Sequence, residues 1–167
     1  MKLIIETPRL ILREFILSDA EKMYDLNKDP EVLQYTGDLP FNSIQEARNF
    51  LEHYSDYERN GFGRWAVVRK DDSEFIGWCG LKLNEENLID LGFRFFQKFW
   101  NRGYATESAK ACLEYGFSVL HLNEVVGRAM KENTGSIRVL EKLGMEFWKE
   151  QEVEGLHNAV YYHIHKN

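Results

Sequence analysis

The segment richest in chemistry is Phe99-Trp100-Asn101-Arg102-Gly103-Tyr104-Ala105-Thr106-Glu107. It joins a strand pattern to a helix pattern, and Gly103 with small Ala105 lets backbone approach a ligand closely. A helix beginning there aims free amide N–H groups and the positive end of its dipole at one spot, which suits a pyrophosphate. Arg102 can add a charge-assisted contact at the rim. The segment is neither a Rossmann fingerprint nor a P-loop, since GxGxxG and GxxxxGK[ST] are both missing. A glycine before a helix is common for structural reasons alone, so the turn predicts an anion site without naming the anion.

Other reactive groups are scattered. Asp90 faces the opposite side of its strand from Ile89 and Leu91, and reads either as a base acting through a water or as a solvent-exposed carboxylate. Glu107 falls in the first helical turn, where the dipole favours an acid, and a structural role is expected. Tyr161 and Tyr162 point to opposite faces of one strand, so at most one of them lines an acceptor site. His163 and His165 share a strand face as a metal pair would, but no third ligand lies nearby in sequence. A solvated strand and no metal are therefore expected there. Cys79 and Cys112 form no CxxC pair and read as small buried hydrophobes, which suits a reducing cytoplasm.

The elements that position these groups follow from periodicity. Leu10 to Phe15 reads as a strand, and Ser18 with Glu21 as a capping box for a helix from Asp19. Ser43 with Glu46 repeats that signal before Ala47, Phe50, Leu51 and Tyr54, a helix ending near Asn60-Gly61. Three strands follow, Trp65 to Arg69, Phe75 to Leu83 and Leu88 to Phe96, joined by short polar breaks that predict antiparallel neighbours. Ala105, Ala109, Cys112, Leu113, Gly116 and Phe117 then recur at helical spacing. Glu124 to Arg128 reads as a strand, Ser136 to Leu143 as a helix ended by Gly144, and two closing strands run over 147–153 and 160–165. A helix between two strands implies a crossover, hence a mixed sheet in an α/β (α+β) chain.

Length sets the scale: 167 residues suit one domain, taken as 1–167. The formal charge of −6 disfavours a nucleic-acid binder and is compatible with a cationic acceptor. MKLIIETPRL has no long apolar stretch, so neither a signal peptide nor a membrane span is expected.

Four pieces in order resemble the GNAT superfamily, in the branch of the RimJ/RimL ribosomal-protein N-acetyltransferases. They are Glu6-Thr7-Pro8-Arg9-Leu10-Ile11-Leu12-Arg13, Leu91-Gly92-Phe93, Arg102-Gly103-Tyr104-Ala105-Thr106-Glu107, and Asn133-Thr134-Gly135-Ser136 through Met145. The resemblance implies a GNAT-like fold: a mixed, mostly antiparallel sheet of about seven strands, splayed at the central strand and flanked by helices. It implies acetyl-CoA as cosubstrate, with the pantetheine arm on backbone of Phe93, Arg94 and Phe95. The pyrophosphate would lie on amides from Asn101 to Thr106, through Arg102, Gly103, Tyr104 and Ala105. Asn133 would bind near the pantetheine, and Ser136 would reach the sulfur. Where the superfamily has Gln or Arg before the glycine, this chain has Trp100.

The implied reaction moves acetyl directly to a primary amine, a small molecule or a peptide N-terminus. A lysine-like amine, with a pKa near 10.4, needs more help from a base than an α-amine near 8. The leaving thiolate needs a hydrogen bond or a proton. Ser136 is the leaving-group candidate by family position, with Asp90 and Tyr161 as further catalytic candidates. The acceptor wall is expected from residues 30–60 and the final hairpin. No nucleic acid or membrane partner is expected, and a homodimer is admitted. The alternative is a coenzyme A-binding module without turnover.

Overall fold

The computed structural model describes residues 2–167 and contains one eight-stranded sheet. In chain order the strands and helices are β1 (Leu3–Glu6), β2 (Leu10–Arg13), α1 (Ala20–Leu26), α2 (Pro30–Leu33), α3 (Ile44–Glu52) and α4 (Asp56–Asn60). Then come β3 (Arg64–Arg69), β4 (Glu74–Leu83), β5 (Ile89–Phe95), α5 (Tyr104–Ser118) and β6 (Glu124–Met130). The chain closes with α6 (Thr134–Lys142), β7 (Glu146–Val153) and β8 (Leu156–His165). The spatial order is β1-β2-β3-β4-β5-β6-β8-β7, with every neighbouring pair antiparallel except β5 and β6.

Local chemistry explains most boundaries. The β4–β5 hairpin turns on Asn84, whose Oδ1 accepts the N–H groups of Glu86 (2.9 Å) and Leu88 (3.1 Å). Ser43 caps α3 by accepting Glu46 N–H at 3.1 Å. Gly61 (φ 82°) and Gly144 (φ 85°) end α4 and α6 in the left-handed region that an L side chain strains to enter.

Three expectations change. The chain between Ser43 and Gly61 holds two helices rather than one, because α3 stops at His53, whose ring Nδ1 lies 2.8 Å from the Asn49 carbonyl. The Ser18–Glu21 box does not form. Asp19 instead accepts the Ile16 N–H at 2.9 Å and a bidentate pair from Arg13, both bonds at 2.8 Å, and α1 starts at Ala20. The strand expected to reach Phe15 ends at Arg13.

Alternation along the strands splits the core in two. Trp65, Val67, Leu81, Leu91 and Val125 face α5 and α6 and pack with Cys112 and Leu140. Ala66 and Phe75 face the other way, onto Met23, Leu26, Ala47 and Leu51 of α1 and α3. Each fully buried Leu or Val contributes roughly 1.5–3 kcal/mol relative to exposure. These two layers hold the sheet rigid on both sides of its one break.

The break lies between β5 and β6. β4 and β5 stay paired from Leu83↔Ile89 to Gly77↔Phe95, but β5 and β6 share only the register pair Asp90↔Val126. Beyond Asp90 the two strands part, leaving one edge of β5 unpaired inside the molecule.

Candidate active site

Buried backbone must find hydrogen-bond partners, so an unpaired strand edge inside a protein is a place for a ligand. The Phe96 N–H bonds Ile76 O at 3.2 Å, which fixes the phase of β5: its even-numbered residues turn their backbone to β4. Leu91, Phe93 and Phe95 therefore turn theirs into the gap. The Phe95 carbonyl there is already taken by Trp100 Nε1 at 2.9 Å. Trp100 thus ties the loop to the strand where the superfamily pattern has Gln or Arg. Arg94 pairs with Trp78 of β4, and its guanidinium reaches Asn27 (2.7 Å) and Asp38 (2.6 Å). Its side chain braces the acceptor side, and its backbone is committed to β4. Phe93 N–H and C=O and Phe95 N–H are what the gap offers.

The loop after β5 makes a second set of donors. Asn101 (φ 61°) and Gly103 (φ 82°) are both left-handed, a sequence of turns that folds successive N–H groups into one concavity. Gly103 caps α5 without any side-chain bond, and the first intrahelical bond on this side is Glu107 N–H to Gly103 O at 2.9 Å. The N–H groups of Tyr104, Ala105 and Thr106 have no helical acceptor and face the same cleft.

The start of the chain holds this loop in place. Glu107 accepts from Thr7 Oγ1 (2.6 Å), the Arg9 N–H (3.0 Å) and Arg9 Nε (2.7 Å). Arg9 also donates to the Arg102 carbonyl at 3.0 Å and lies over the Tyr104 ring at 4.3 Å. Burial opposes ionisation of Glu107, but the bonds from Thr7 and Arg9 outweigh it and hold the carboxyl below its usual range. The Glu-Thr-Pro-Arg run is thus a clamp on the helix start.

A cleft of about 450 Å³ runs along these donors, lined by Phe93, Phe95, Asn101, Gly103, Tyr104, Ala105, Thr106, Asn133 and Ser136. Arg102 is not among its walls; its carbonyl is pinned by Arg9 and its side chain is exposed. Arg138 and Lys142 are, one turn apart on α6, and bring cations that the sequence reading passed over. Their spacing of four on a helix was the available signal. An elongated, multiply phosphorylated thioester fits this set: amides and cations at one end, a free strand edge at the other.

A second cavity, of about 770 Å³, opens on the opposite side, toward α1–α4. It meets the cleft at Tyr35, Thr36, Phe93, Arg94, Asn133 and Ser136. Asn133 caps α6, its Oδ1 accepting Ser136 N–H at 3.3 Å. Among the described residues the Ser136 hydroxyl has no protein partner.

Asp90 and Tyr161 are placed differently from the sequence reading. Asp90 is 4% exposed, not solvated. Its Oδ1 takes Arg64 Nη2 at 2.8 Å, and its Oδ2 takes Asn84 Nδ2 at 3.1 Å and Arg128 Nη2 at 3.3 Å. Three donors share its two oxygens, so it holds two arginines at the wall of the acceptor cavity. Tyr161 is fully buried and lines neither cavity; its hydroxyl donates to Glu86 Oε1. Burial and that carboxylate push the phenol up from its usual value. Tyr54 and Tyr57, near the acceptor wall, are also spoken for. Tyr54 accepts Arg64 N–H at 2.8 Å, and Tyr57 accepts Phe15 N–H at 3.1 Å and donates to Arg64 O. Desolvation raises both phenols.

With the geometry in hand, the comparisons with known proteins bear directly on it. The acetyltransferase (GNAT) domain model matches residues 9–146. An uncharacterized N-acetyltransferase of Bacillus licheniformis, p20, is 32% identical over 143 residues, 84% of this chain and 80% of that protein. The crystal structure of a GNAT-family acetyltransferase from Bacillus anthracis superposes with a TM-score of 0.80 at 29% identity, covering 96% of this chain and 97% of that one. Spermidine N-acetyltransferase from Vibrio cholerae, solved with CoA and spermine, shares the fold with a TM-score of 0.79 at 18% identity, over 95% and 96% of the two chains. Ribosomal-protein acetyltransferases match in fold as well, so the likeness spans several GNAT subfamilies without singling out the RimJ/RimL branch. Among the described residues no helix is long and apolar enough to cross a membrane. Acetyl-CoA is the cosubstrate this family shares, an amine is its acceptor, and the chain belongs to the GNAT acetyltransferases.

Proposed function

We propose that the chain acetylates a small primary amine carrying about one positive charge, by direct attack of the amine on the thioester. The observation behind this reading is the junction of cleft and cavity at Phe93 and Ser136. An acetyl group lying at the sulfur end of the β5 edge would sit there, within reach of an amine from the cavity. Phe93 N–H is aimed into the gap and is placed to donate to the developing oxyanion. Ser136 has a free hydroxyl for the departing thiolate. Neither cysteine lines either space, so an acyl-cysteine intermediate has no support. Their sulfurs lie 3.7 Å apart as unbridged thiols.

The size and charge of the cavity speak to the acceptor. A volume of about 770 Å³ accommodates a small molecule. Its walls carry four carboxylates (Asp38, Asp56, Glu85, Asp90) and four Lys or Arg side chains (Arg64, Lys82, Arg94, Arg128). Asp38, Glu85 and Asp90 are already ion-paired to Arg94, Arg128 and Arg64, leaving Asp56 as the acid without such a pair. A polycation would meet as much positive as negative charge. Phe41, Phe50 and Tyr54, packed 5.7–5.8 Å apart, offer an apolar wall for the stem of a monoamine.

None of the six junction residues is a carboxylate or an imidazole. The amine proton therefore leaves to water, and kcat/KM climbs with pH toward the amine pKa. The test is thiol release from acetyl-CoA with a panel of monoamines, spermidine and short peptides, with products identified by mass spectrometry. Aromatic and alkyl monoamines should react at least tenfold faster than spermidine or peptides. Turnover of peptides alone, with acetyl on the α-amine, would discard the small-amine reading; thiol release from none would favour a coenzyme A-binding module.

A further inference from the structure

Outside the lining of both cavities, β6 and β8 bring together a set of donors that belongs to no part of the acetyl-transfer site. The register pairs Glu124 with His165 and Val126 with His163, so strand alternation puts Glu124, His163 and His165 on one face. One ligand atom from each lies within 4.8 Å of the others. Glu124 Oε2 is 2.7 Å from His165 Nε2 and 3.4 Å from His163 Nδ1.

His163 is the most constrained of the three. Its ring stacks flat on Trp148, with centroids 5.2 Å apart and planes 5° from parallel. The ring is thereby fixed with Nδ1 inward. That nitrogen is buried and has no hydrogen-bond partner among the described residues, although a carboxylate oxygen lies 3.4 Å away. A buried, unpaired polar atom is costly, and a native structure normally satisfies it.

We propose that Glu124, His163 and His165 bind a divalent transition-metal ion of the zinc class, which cross-braces β6 and β8. Two imidazole nitrogens and a carboxylate oxygen are a borderline donor set that suits Zn²⁺ and disfavours Mg²⁺ and Ca²⁺, which demand more oxygens. Donors around a tetrahedral ion with bonds of about 2.0–2.1 Å lie about 3.3 Å apart. The Glu124–His163 spacing of 3.4 Å is close to that value, the Glu124–His165 contact must open by ~0.6 Å, and the two imidazole nitrogens, which lie within 4.8 Å of each other, settle toward the same spacing as the ion binds. Glu124 and His165 are partly exposed, with side-chain accessibilities of 31% and 61%, which gives the ion an entry path and room for a water as fourth ligand. None of the three residues lines the cleft or the acceptor cavity, so the ion would hold the sheet rather than touch the reacting atoms.

The experiment uses the full chain, stripped with chelator and dialysed. Titration with zinc chloride should show one equivalent bound at micromolar Kd or tighter, with a raised melting temperature. Cobalt(II) should develop the visible bands of a four-coordinate site and quench the fluorescence of Trp148. His165→Ala and Glu124→Gln, at an exposed and a partly exposed position where folding is expected to survive, should each weaken Zn²⁺ binding about tenfold or more while acetyl transfer to the best amine is unchanged. His163→Ala should abolish binding if it folds. No saturable uptake by the native chain, or uptake equally strong in His165→Ala and Glu124→Gln, would overturn the site.

Discussion

Glu107→Gln isolates the clamp between the chain start and the pyrophosphate loop. The carboxylate accepts three bonds, from Thr7 Oγ1, Arg9 N–H and Arg9 Nε. The amide keeps the shape but turns an NH₂ toward donors and loses the charge. A hydrogen bond to a charged group is worth about 1.5–3 kcal/mol when well buried. Arg9 is 44% exposed, so its ion pair is held to about 1 kcal/mol or less. Thr7 is 9% exposed, and its bond carries most of the rest. The sum is about 2 kcal/mol, or a melting temperature lower by about 4–8 °C for a chain of this size.

The pH dependence has a definite sign. A carboxyl held below its usual value in the folded state stabilises above the unfolded pKa, about 4.3, and stops doing so as pH falls through the folded value. Melting curves of native and Glu107→Gln proteins from pH 7 to pH 3 should therefore show a gap that is full at neutrality and narrows below about pH 4. Acetyl-CoA binding at pH 7 should weaken, since Arg9 no longer holds the Arg102 carbonyl. A gap absent at pH 7, or one that stays constant down to pH 3, would show that Glu107 does not act as a charged clamp.

Two other outcomes follow from the site. Ser136→Ala should lower kcat about 10- to 100-fold, roughly 1.4–2.7 kcal/mol at the transition state, with acetyl-CoA affinity changed far less. Full kcat in that variant would leave Ser136 as a helix-start residue only. Asp90→Ala leaves Arg64 and Arg128 without their buried carboxylate and should destabilise the chain by about 3–5 kcal/mol in urea unfolding. A cost under about 1 kcal/mol would show that water replaces the carboxylate easily.

What could be read from sequence was local. The alternation of Ile89, Leu91, Phe93 and Phe95 marked β5, Ser43 marked the start of α3, and the 99–107 turn marked the left-handed loop and free helix start proposed to hold an anion, because each signal lies within one stretch of chain. What stayed hidden depended on pairing between distant strands. Asp90 alternates with apolar neighbours and reads as a base acting through a water or as a solvated carboxylate, but Arg64 and Arg128 reach it from β3 and β6. Tyr161 becomes a buried partner of Glu86 only once β8 lies beside β6. Glu124 could not be joined to His163 and His165 until the β6–β8 register was known. Trp100 looked like a lapse from the superfamily pattern, yet its indole bonds the strand edge that it follows.

In the proposed complex acetyl-CoA lies in the β5–β6 gap with its phosphates on the start of α5. Amide ¹H–¹⁵N chemical shifts followed through an acetyl-CoA titration test this residue by residue. Saturable shifts should concentrate at Phe93, Phe95, Gly103, Tyr104, Ala105 and Thr106, with the amides of β1 and β7 unmoved. Saturation with those six amides unchanged and the shifts clustered elsewhere would contradict it.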